Sequence, residues 1–473
     1  MSITRSVCNS CSLWYWKGFE MNFEDTICAV STAPGVGGIA VIRVSGRRTR
    51  EICAAFFKTD LSGMVPNTCR FARFYRTNGE LLDECMLSFF QGPHSFTGED
   101  TLEIACHGSL YVQQCILQEL VAGGARIARA GEFTQRAFLN GKMDLSQAEA
   151  VADLIAARSR AAHRIALKQM RGGFSDELAN LRAKLLEFTS LLELELDFAD
   201  HEELEFADRS QLKALADIIE DKIARLCQSF SLGNAIKNGI PVAIVGETNA
   251  GKSTLLNRLL GEEKAIVSDI HGTTRDLIED CISIQGIMFR FIDTAGLRDT
   301  KDTIEKMGIE RSRQAMDKAQ IVLWVIDATT CHAPAQAPID LTRLLADGKT
   351  VIVVFNKSDL ASPRQLDITT QHCFISAKNG QGIDHLQQLL IEASHIDEQA
   401  LEDVTVSNAR HYENLLHALE AIRRVQEGMQ NGLSGELLAL DLHDCIDHLG
   451  AITGEVTPNE VLGNIFKNFC IGK

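Results

Sequence analysis

The sequence predicts a multidomain α/β protein in which a mostly parallel sheet domain is inserted into a discontinuous α-helical domain. Three observations predict this arrangement. The chain has 473 residues, which is too long for one ordinary hydrophobic core. Apolar strand-like runs alternate with helix-sized segments over residues 238–395, as is typical of a parallel sheet. Helical periodicity precedes this stretch and returns after it, so we expect the two helical parts to pack together.

The N-terminal part of the chain, residues 22–139, is predicted to be an α+β domain. Short β-branched runs are broken there by Gly and Pro, at Ile39–Val44, Cys85–Phe90 and Thr101–Ala105. Residues 1–21 lack the long apolar stretch of a signal peptide, so we expect a disordered lead or a segment that is not translated.

Residues 140–237 and 396–473 are predicted to be the two halves of the helical domain. Apolar residues in each half recur at intervals of three and four, which places them on one helical stripe. In the first half these are Leu178, Leu181, Leu185, Phe188 and Leu192. In the second half they are Leu415, Leu419, Ile422 and Val425, followed by Leu438, Leu442, Ile446 and Leu449. The acidic run at 187–208, with nine carboxylates, is predicted to be a solvated helix face and loop.

Composition limits the classes of function. The formal net charge of −16 excludes a protein whose whole surface binds nucleic acid, so any RNA contact must be local or supplied by a partner. Charges interrupt the apolar stretches well short of the ~20 residues that a membrane span needs. The 14 Cys residues are scattered, which is typical of reduced thiols and predicts a cytoplasmic location.

A phosphate-binding loop is predicted at residues 246–253. Strand-like Val242–Val245 runs into GETNAGKS and a helix-like segment follows, which is the setting that the GxxxxGKS motif requires. The glycines let backbone N–H groups surround phosphate, and the helix N-terminus adds its dipole. Lys252 is expected to contact the β- and γ-phosphates, and Ser253 to bind Mg²⁺. The predicted nucleotide contacts of this loop are Asn249, Ala250, Gly251, Lys252, Ser253 and Thr254.

Four further motifs follow in the order of a Ras-like P-loop G domain, namely GTTRD at 272–276, DTAG at 293–296, NKSD at 356–359 and SAK at 376–378. In GTTRD at 272–276, Thr274 would reach Mg²⁺ and the γ-phosphate, and in DTAG at 293–296 the Gly296 amide would contact the γ-phosphate. In NKSD at 356–359, the Asp359 carboxylate can accept both N1–H and N2–H₂ of guanine, an edge that adenine lacks. We therefore predict a GTP-binding domain. The contacts predicted from these motifs are Thr273, Thr274, Asp293, Thr294, Ala295, Gly296, Asn356, Lys357, Asp359, Ser376, Ala377 and Lys378.

Two features bear on how GTP would be hydrolysed. Leu297 stands beside DTAG, where Ras-like proteins have a Gln that positions water, so the catalytic group must come from elsewhere. Glu305 is one candidate, and the alternative is a solvent-facing Glu at the start of a helix. Asn249 could coordinate a monovalent cation in place of an arginine finger, or it could stabilise the loop.

Several sequence strings resemble the MnmE (TrmE) family of TRAFAC-class tRNA modification GTPases, over nearly everything from Met21 to Lys473. In the G domain the resemblance lies in Asn249, the GTTRD segment and Leu297. The strings specific to the family are APGVGG at 33–38, SFTGED at 95–100, GEFT at 131–134, AFLNGKMDL at 137–145 and CIGK at 470–473. The chain departs from many relatives in having Thr248 where they have Pro.

The resemblance implies an N-terminal folate-binding-like domain that dimerises and binds 5-formyltetrahydrofolate or a related one-carbon folate. It implies a homodimer in which GTP, Mg²⁺ and K⁺ draw two G domains together, and a heterotetramer with the FAD-dependent MnmG/GidA protein. With that partner, such proteins add a carboxymethylaminomethyl or aminomethyl-type group to C5 of the wobble uridine of certain tRNAs.

Site residues carry over from the resemblance by position. The folate contacts would be Arg43, Glu103, Lys142 and the terminal Lys473, whose charges suit the carboxylates and the guanine-like pterin edge of folate. The K⁺ ligands would be Asn249, Ser268, Ile270 and Thr273, of which Ser268 also borders the nucleotide. Glu305 would orient the attacking water, acting with Lys252, Thr274 and Gly296.

A docked C-terminal helix is predicted after the capping box at Thr457–Glu460. This helix would hold the final CIGK residues at a fixed place. Cys470 could be a nucleophile and modification-site residue, or a packed thiol. The apolar face of the helix would comprise Val461, Leu462, Ile465, Phe466 and Phe469.

Two other functions remain as alternatives. One is a regulatory GTPase in ribosome assembly, but the sequence lacks the basic GxxG loop of an appended KH module. The other is a folate-dependent aminomethyl transferase with a regulatory G domain, which the five intact nucleotide motifs disfavour.

Overall fold

The structure, a computed structural model, describes residues 24–61, 63–197, 209–262, 280–292, 313–330, 345, 347–360, 370–396, 404–456, 459–467, 469 and 472. These residues form two units. The first comprises the described residues of 1–144 and 457–473, and the second comprises those of 145–456.

A six-stranded sheet forms the centre of the first unit. Its strands are β1 (Ile27–Val30), β2 (Gly37–Ser45), β3 (Thr68–Tyr75), β4 (Leu81–Phe90), β5 (Thr101–Gly108) and β6 (Arg126–Ile127). The order across the sheet is β3-β4-β5-β2-β1-β6, with all neighbours antiparallel except β1 and β6. The strands predicted at 39–44, 85–90 and 101–105 are confirmed as parts of β2, β4 and β5.

One face of this sheet is covered by two helices, α1 (Thr49–Ala54) and α2 (Leu110–Ala122). Alternate strand residues such as Ile42, Leu87 and Ile104 are fully buried with the apolar residues of these helices. Strand periodicity of two therefore separates this covered face from a second face, which is exposed over β3 and β4.

The C-terminal helix belongs to the first unit. A third helix, α3 (Glu132–Leu139), begins after Gly131, which has a φ of +67°. A Cβ added at Gly131 would lie 2.5 Å from the carbonyl oxygen of Phe466 in the C-terminal helix, here numbered α12 (Asn459–Lys467). The Phe466 and Phe138 rings lie 6.3 Å apart. The sequence prediction kept residues 396–473 together, whereas this apolar packing places the last helix with the N-terminal sheet.

The second unit begins with helices from both sides of the inserted sheet domain, and those within residues 173–238 and 409–453 build one apolar core. They are α4 (Leu145–Ala156), α5 (Arg160–Met170), α6 (Gly173–Asp197), α7 (Arg209–Asn238), α10 (Ala409–Gln430) and α11 (Gly435–Thr453). Every apolar residue of the two predicted helical stripes is buried in this core, so the stripes are confirmed. Residues 198–208 of the predicted acidic run lie outside the described residues.

A buried ionic cluster joins α4, α10 and α11. The Glu149 carboxylate lies 2.6 Å from Nε2 of His411 and 2.8 Å from Nη2 of Arg410. Arg410 also donates to the carbonyl oxygens of Ala451 and Ile452. Burial alone raises the pKa of Glu149, but His411 and Arg410 outweigh it and lower that pKa to about 2. The stabilisation is therefore present above the ordinary pKa of 4.5 and is lost as the pH falls towards 2.

The inserted domain is built on a second six-stranded sheet. Its strands are β7 (Ile240–Gly246), β8 (Asp280–Ile284), β9 (Ile287–Phe291), β10 (Ile321–Asp327), β11 (Thr350–Asn356) and β12 (His372–Phe374), in the order β12-β11-β10-β7-β9-β8. All neighbours are parallel except β8 and β9. Helices α8 (Lys252–Glu262) and α9 (Ile383–Ala393) pack on it. The predicted mostly parallel sheet is thus confirmed.

The chain enters and leaves the inserted domain at one place. A Cβ added at Gly233, near the end of α7, would lie 2.2 Å from the carbonyl oxygen of Val406, which follows the inserted domain. The Val406 amide also donates to Oγ of Ser229 at 3.0 Å. The two connections are therefore packed against each other. Among the helices of the described ranges, none combines enough length with enough hydropathy to span a bilayer.

Candidate functional site

The predicted phosphate-binding loop connects β7 to α8, and two of its glycines are required by close packing. A Cβ at Gly246 would lie 2.1 Å from the carbonyl oxygen of Val325, and one at Gly251 would lie 2.2 Å from Nδ2 of Asn356. Both glycines have positive φ values, +148° and +91°. No other residue type could adopt this backbone and fit this space. The loop is thus a tight backbone cradle that ends at a helix N-terminus, which suits an anionic phosphate.

Lys252 lies inside this cradle. Its Nζ donates to the carbonyl oxygens of Gly246 and Glu247, both at 2.7 Å. Burial lowers the pKa of Lys252, and the nearby Glu247 carboxylate opposes that effect only in part. A negatively charged ligand in the cradle would therefore stabilise the ammonium form that burial disfavours.

Asn356, at the end of β11, ties the phosphate-binding loop to the predicted base pocket. Its Nδ2 donates to the carbonyl oxygen of Ala250 at 2.8 Å, and its Oδ1 accepts from the amide of Ala377 at 3.0 Å. The residue is 3% exposed, so both contacts are shielded from water. Substitution of Asn356 would therefore disturb the loop and the pocket together.

The base pocket is assembled from the ends of β10, β11 and β12. Lys357 has a φ of 65°, and its Nζ lies 2.6 Å from the Asp327 carboxylate. Burial raises the pKa of Asp327, but Lys357 outweighs it, so the pKa is lowered and the carboxylate stays ionised. Asp359 is exposed, as a residue that reads a base edge must be, and Ser376 is fully buried.

Sequence reasoning missed Arg258, which supports the pocket from α8. Its Nε donates to the carbonyl oxygen of Ala377 at 3.1 Å, and its Nη2 donates to that of Lys378. The spacing of Arg258, six residues after Lys252, gave no motif that could have revealed this role. The loop helix therefore contacts both ends of the predicted nucleotide site.

Part of the predicted site lies outside the described residues. Asn249 is described and is exposed in the loop with a φ of 64°. Ser253 and Thr254 occupy the first turn of α8. The predicted residues outside the described ranges are Ser268, Ile270, Thr273, Thr274, Asp293, Thr294, Ala295, Gly296, Leu297, Glu305, Cys470 and Lys473.

In the first unit, the structure brings Arg43 and Glu103 into direct contact. They are register partners on β2 and β5, and Nε and Nη2 of Arg43 donate to Oε1 of Glu103 at 3.0 and 2.8 Å. The Arg43 guanidinium lies over the rings of Phe96 and Phe133, at 5.4 and 5.6 Å from their centroids. The result is a half-buried charged pair beside two aromatic walls, which suits a flat polar ring with an anionic tail.

Gly472 lies against the end of β1, which neighbours the strand that carries Arg43. The Ser31 hydroxyl donates to the carbonyl oxygen of Gly472 at 3.0 Å, and Ala29 of β1 is the register partner of Arg43. Lys142 is exposed and donates to the carbonyl oxygen of Pro93 at 2.8 Å. Within the described part of the chain, no hydrogen bond joins Lys142 to the Arg43–Glu103 pair.

A buried network that sequence reasoning missed holds α3 in place. Arg136 is 1% exposed and donates to the carboxylates of Asp25, Glu99 and Glu132. Burial dominates at Glu99 and raises its pKa despite Arg136. At Glu132 burial also raises the pKa, but Arg126 outweighs it and the net pKa is lowered. Since Phe133 follows Glu132, the network fixes one aromatic wall of the Arg43 site.

Comparisons with known proteins match nearly the whole chain. The family model for the MnmE helical domain matches residues 145–470, and that for the GTP-binding protein TrmE N-terminus matches residues 26–142. The chain is 59% identical to the tRNA modification GTPase MnmE of Parabacteroides distasonis, covering 95% of this chain and 100% of that protein. It is 55% identical to the protein of the same name from Bacteroides fragilis, with the same coverage.

Solved structures match a smaller part. Aquifex aeolicus Era is 27% identical over 38% of this chain and 65% of its own, with a TM-score of 0.25. The G domain of the T. maritima FeoB iron transporter is 22% identical over 33% of this chain and 99% of its own, also with a TM-score of 0.25.

Proposed function

The chain belongs to the MnmE family of tRNA modification GTPases, and on that premise we propose that it hydrolyses GTP to drive modification of the wobble uridine of certain tRNAs. The modification would add a carboxymethylaminomethyl or aminomethyl-type group at C5, together with the FAD-dependent MnmG/GidA protein in a heterotetramer. The observation that carries the proposal is the nucleotide cradle, in which Lys252 lies between loop carbonyls and Asn356 links Ala250 to Ala377.

Guanine selection is assigned to Asp359 in this proposal. Its exposed carboxylate follows Asn356 and Lys357, both of which are held by hydrogen bonds to fixed groups. A carboxylate on such a rigid support accepts two N–H groups from guanine and repels the corresponding edge of adenine. Mg²⁺ would be held by Ser253 and Thr274, and would offset phosphate charge when bound.

Hydrolysis is assigned to Glu305 as the water-orienting residue, because Leu297 has no polar group. K⁺ would be held by Asn249, Ser268, Ile270 and Thr273, and would supply the positive charge that an arginine finger supplies elsewhere. Support comes from Asn249, whose exposed amide stands on a left-handed backbone within the phosphate-binding loop.

The first unit is proposed to bind 5-formyltetrahydrofolate or a related one-carbon folate. When bound, the folate would supply the one-carbon unit. The residues that would hold it are Arg43, Glu103, Lys142 and Lys473. The donor set fits, because the Arg43–Glu103 pair offers charge of both signs beside the Phe96 and Phe133 rings. The pterin edge and the folate carboxylates require both.

A homodimer through the first unit is supported by the open face of its sheet. Phe71 and Met86 are register partners on β3 and β4 and are 54% and 43% exposed. Ile39 of β2 is 69% exposed. Apolar side chains gathered on the uncovered face of a sheet are typical of an interaction surface.

The proposal is tested by analysing the modified nucleosides of tRNA from a strain that lacks the gene. Mass spectrometry of its nucleosides should show loss of the wobble modification, and the wild-type gene should restore it. Normal modification without the gene would contradict the proposal. Ribosome-assembly defects with intact tRNA would favour the alternative regulatory GTPase.

The cation mechanism has a separate test. GTP hydrolysis by the purified protein should be much faster in K⁺ than in Na⁺, and Asn249→Ala should remove the difference. Equal rates in both salts would overturn the K⁺ assignment while leaving the tRNA proposal standing.

A further inference from the structure

Helix α5 and its flanks carry a charge opposite to that of the whole chain. Residues 154–175 contain five Lys and Arg residues and no Asp or Glu, in a chain with a net charge of −16. These five residues, here called the α5 basic row, are Arg158, Arg160, Arg164, Lys168 and Arg171. Like charges four residues apart on a helix repel each other, so this spacing costs helix stability and an anion bound against the row would offset that cost.

The fold brings four of the five residues to one side of the helix, and Arg158 is exposed just before the N-cap Ser159. Ala161, Ile165 and Ala166 are buried and fix the inner face of α5. Arg160 and Arg164 are exposed on the outer face, and four- and three-residue steps then lead to Lys168 and Arg171. At a rise of about 1.5 Å per residue, the outer face presents positive charge over about 16 Å.

Two carboxylates that flank the row, Asp153 and Glu177, are engaged elsewhere. Asp153 pairs with Lys237 at 2.8 Å, and Glu177 pairs with Lys222. Within the described ranges of the chain, Arg158, Arg160 and Arg171 have no carboxylate partner.

Exposed arginines on α7 and α10 differ in this respect. Arg225 pairs with Asp221, Arg423 with Glu220, and Arg424 with Asp441 and Asp444. These exposed arginines are therefore neutralised within the helical domain, whereas Arg158, Arg160 and Arg171 have no such partner among the described residues.

We propose that the α5 basic row contacts the phosphate backbone of tRNA. The inference rests on the proposed function for its choice of RNA. A stable protein partner needs an apolar centre to the interface, but the large apolar residues that are exposed in the described chain include none on α5. A line of guanidinium groups on a helix that exposes no large apolar residue matches a polyanion, since Arg binds phosphate oxygens in pairs.

The test measures binding of an unmodified tRNA transcript to the purified full-length protein by fluorescence anisotropy. In the triple variant Arg158→Gln, Arg160→Gln, Arg171→Gln we expect at least about tenfold weaker binding at about 50 mM KCl. The slope of log K against log salt should fall in magnitude by about 2 to 3, one step for each lost phosphate contact.

A matched control removes the same charge from the same domain. The triple variant Arg225→Gln, Arg423→Gln, Arg424→Gln should bind tRNA within about twofold of wild type, because these side chains already have carboxylate partners. Basal GTP hydrolysis should be unchanged in both triple variants, which shows that both are folded.

Four results would overturn the inference. They are unchanged tRNA affinity in the α5 variant, equal weakening in both triple variants, no tRNA binding by the wild type at about 50 mM KCl, and a changed oligomeric mass in the α5 variant with normal tRNA affinity. The last would make the row a protein interface. None of them touches the proposed function, which fails only if the strain without the gene keeps its wobble modification.

Discussion

The nucleotide cradle and the Arg43–Glu103 site are built in different ways. In the cradle, the groups lie in continuous motifs at the carboxyl ends of parallel strands, and backbone geometry does most of the positioning. In the first unit, β2 and β5 bring the charged pair and α3 brings one of the aromatic rings. Pairing across the sheet brings together side chains that are 60 residues apart.

Because of this difference, the two sites are sensitive to substitutions of different kinds. The cradle depends on local backbone conformations, so its chemistry is lost when a residue of the motif changes. The Arg43 site depends on tertiary structure, so it is also sensitive to groups that never touch a ligand, such as Arg136. Substitutions in one site should leave the other intact, because they lie in separate units.

The largest loss of activity is expected for Lys252→Ala. Removing the cradle ammonium should lower the rate of GTP hydrolysis by about 10²–10³, because the developing phosphate charge loses its nearest cation. Folate binding, measured by calorimetry with 5-formyltetrahydrofolate, should be unchanged. Lys237→Ala, which removes a lysine paired with Asp153 outside the cradle, is the control. Loss of both GTP hydrolysis and folate binding in Lys252→Ala would show that the two sites are not independent.

Asp359→Asn should change the nucleotide that the cradle accepts. We expect about 10²-fold weaker GTP binding, because an amide cannot accept both N–H groups of guanine. Xanthosine triphosphate should bind better than GTP, since its 2-oxo group can accept from the Asn side chain. Competition against a fluorescent nucleotide measures both. An unchanged preference for GTP would remove Asp359 from the base pocket.

Arg136→Met should destabilise the first unit by about 3–5 kcal/mol, because three carboxylates are left around an uncharged side chain. Urea unfolding would measure it, with GTP binding as a check on the second unit. Arg73→Met removes an exposed arginine paired with Glu84 on the same sheet, and should have no measurable effect. Equal unfolding midpoints for the two variants would show that the network is dispensable.

Arg43→Gln is expected to give the smallest change. It should weaken 5-formyltetrahydrofolate binding by at least about tenfold, since a charge-assisted hydrogen bond is replaced by a neutral one. GTP hydrolysis without tRNA should be unaffected. Arg48→Gln, which removes an exposed arginine paired with Glu51, is the control. Normal folate affinity in Arg43→Gln would move the folate site elsewhere.

The sequence was most informative where function follows from local geometry. The strand and helix periodicities predicted the main strands and both helical stripes, and the loop motif predicted the cradle at 246–253. The link from Asn356 to Ala250 and Ala377 could not be predicted, because it depends on how β7, β11 and β12 pair. Arg258 escaped prediction for the same reason.

The first unit was predicted less completely. Glu99 and Glu132 lie in the strings that carried the family resemblance, but the contacts of Arg136 with Glu99 and Asp25 join residues that are 37 and 111 positions apart in sequence. The grouping of α12 with this unit also depends on tertiary packing, at Gly131 and Phe466. Helical periodicity shows that a face is apolar but does not show which surface covers it.

The close approach of Gly233 to Val406 bears on how such a chain could have arisen. Because the two connections already touch, a short turn could join them directly, and closing it would cost little more chain entropy than an ordinary surface loop. A gene encoding the helical bundle could therefore have gained a nucleotide-binding domain by a single insertion at this point, without changes to either hydrophobic core. The two adjacent chain segments at Gly233 and Val406 would mark the point of that insertion.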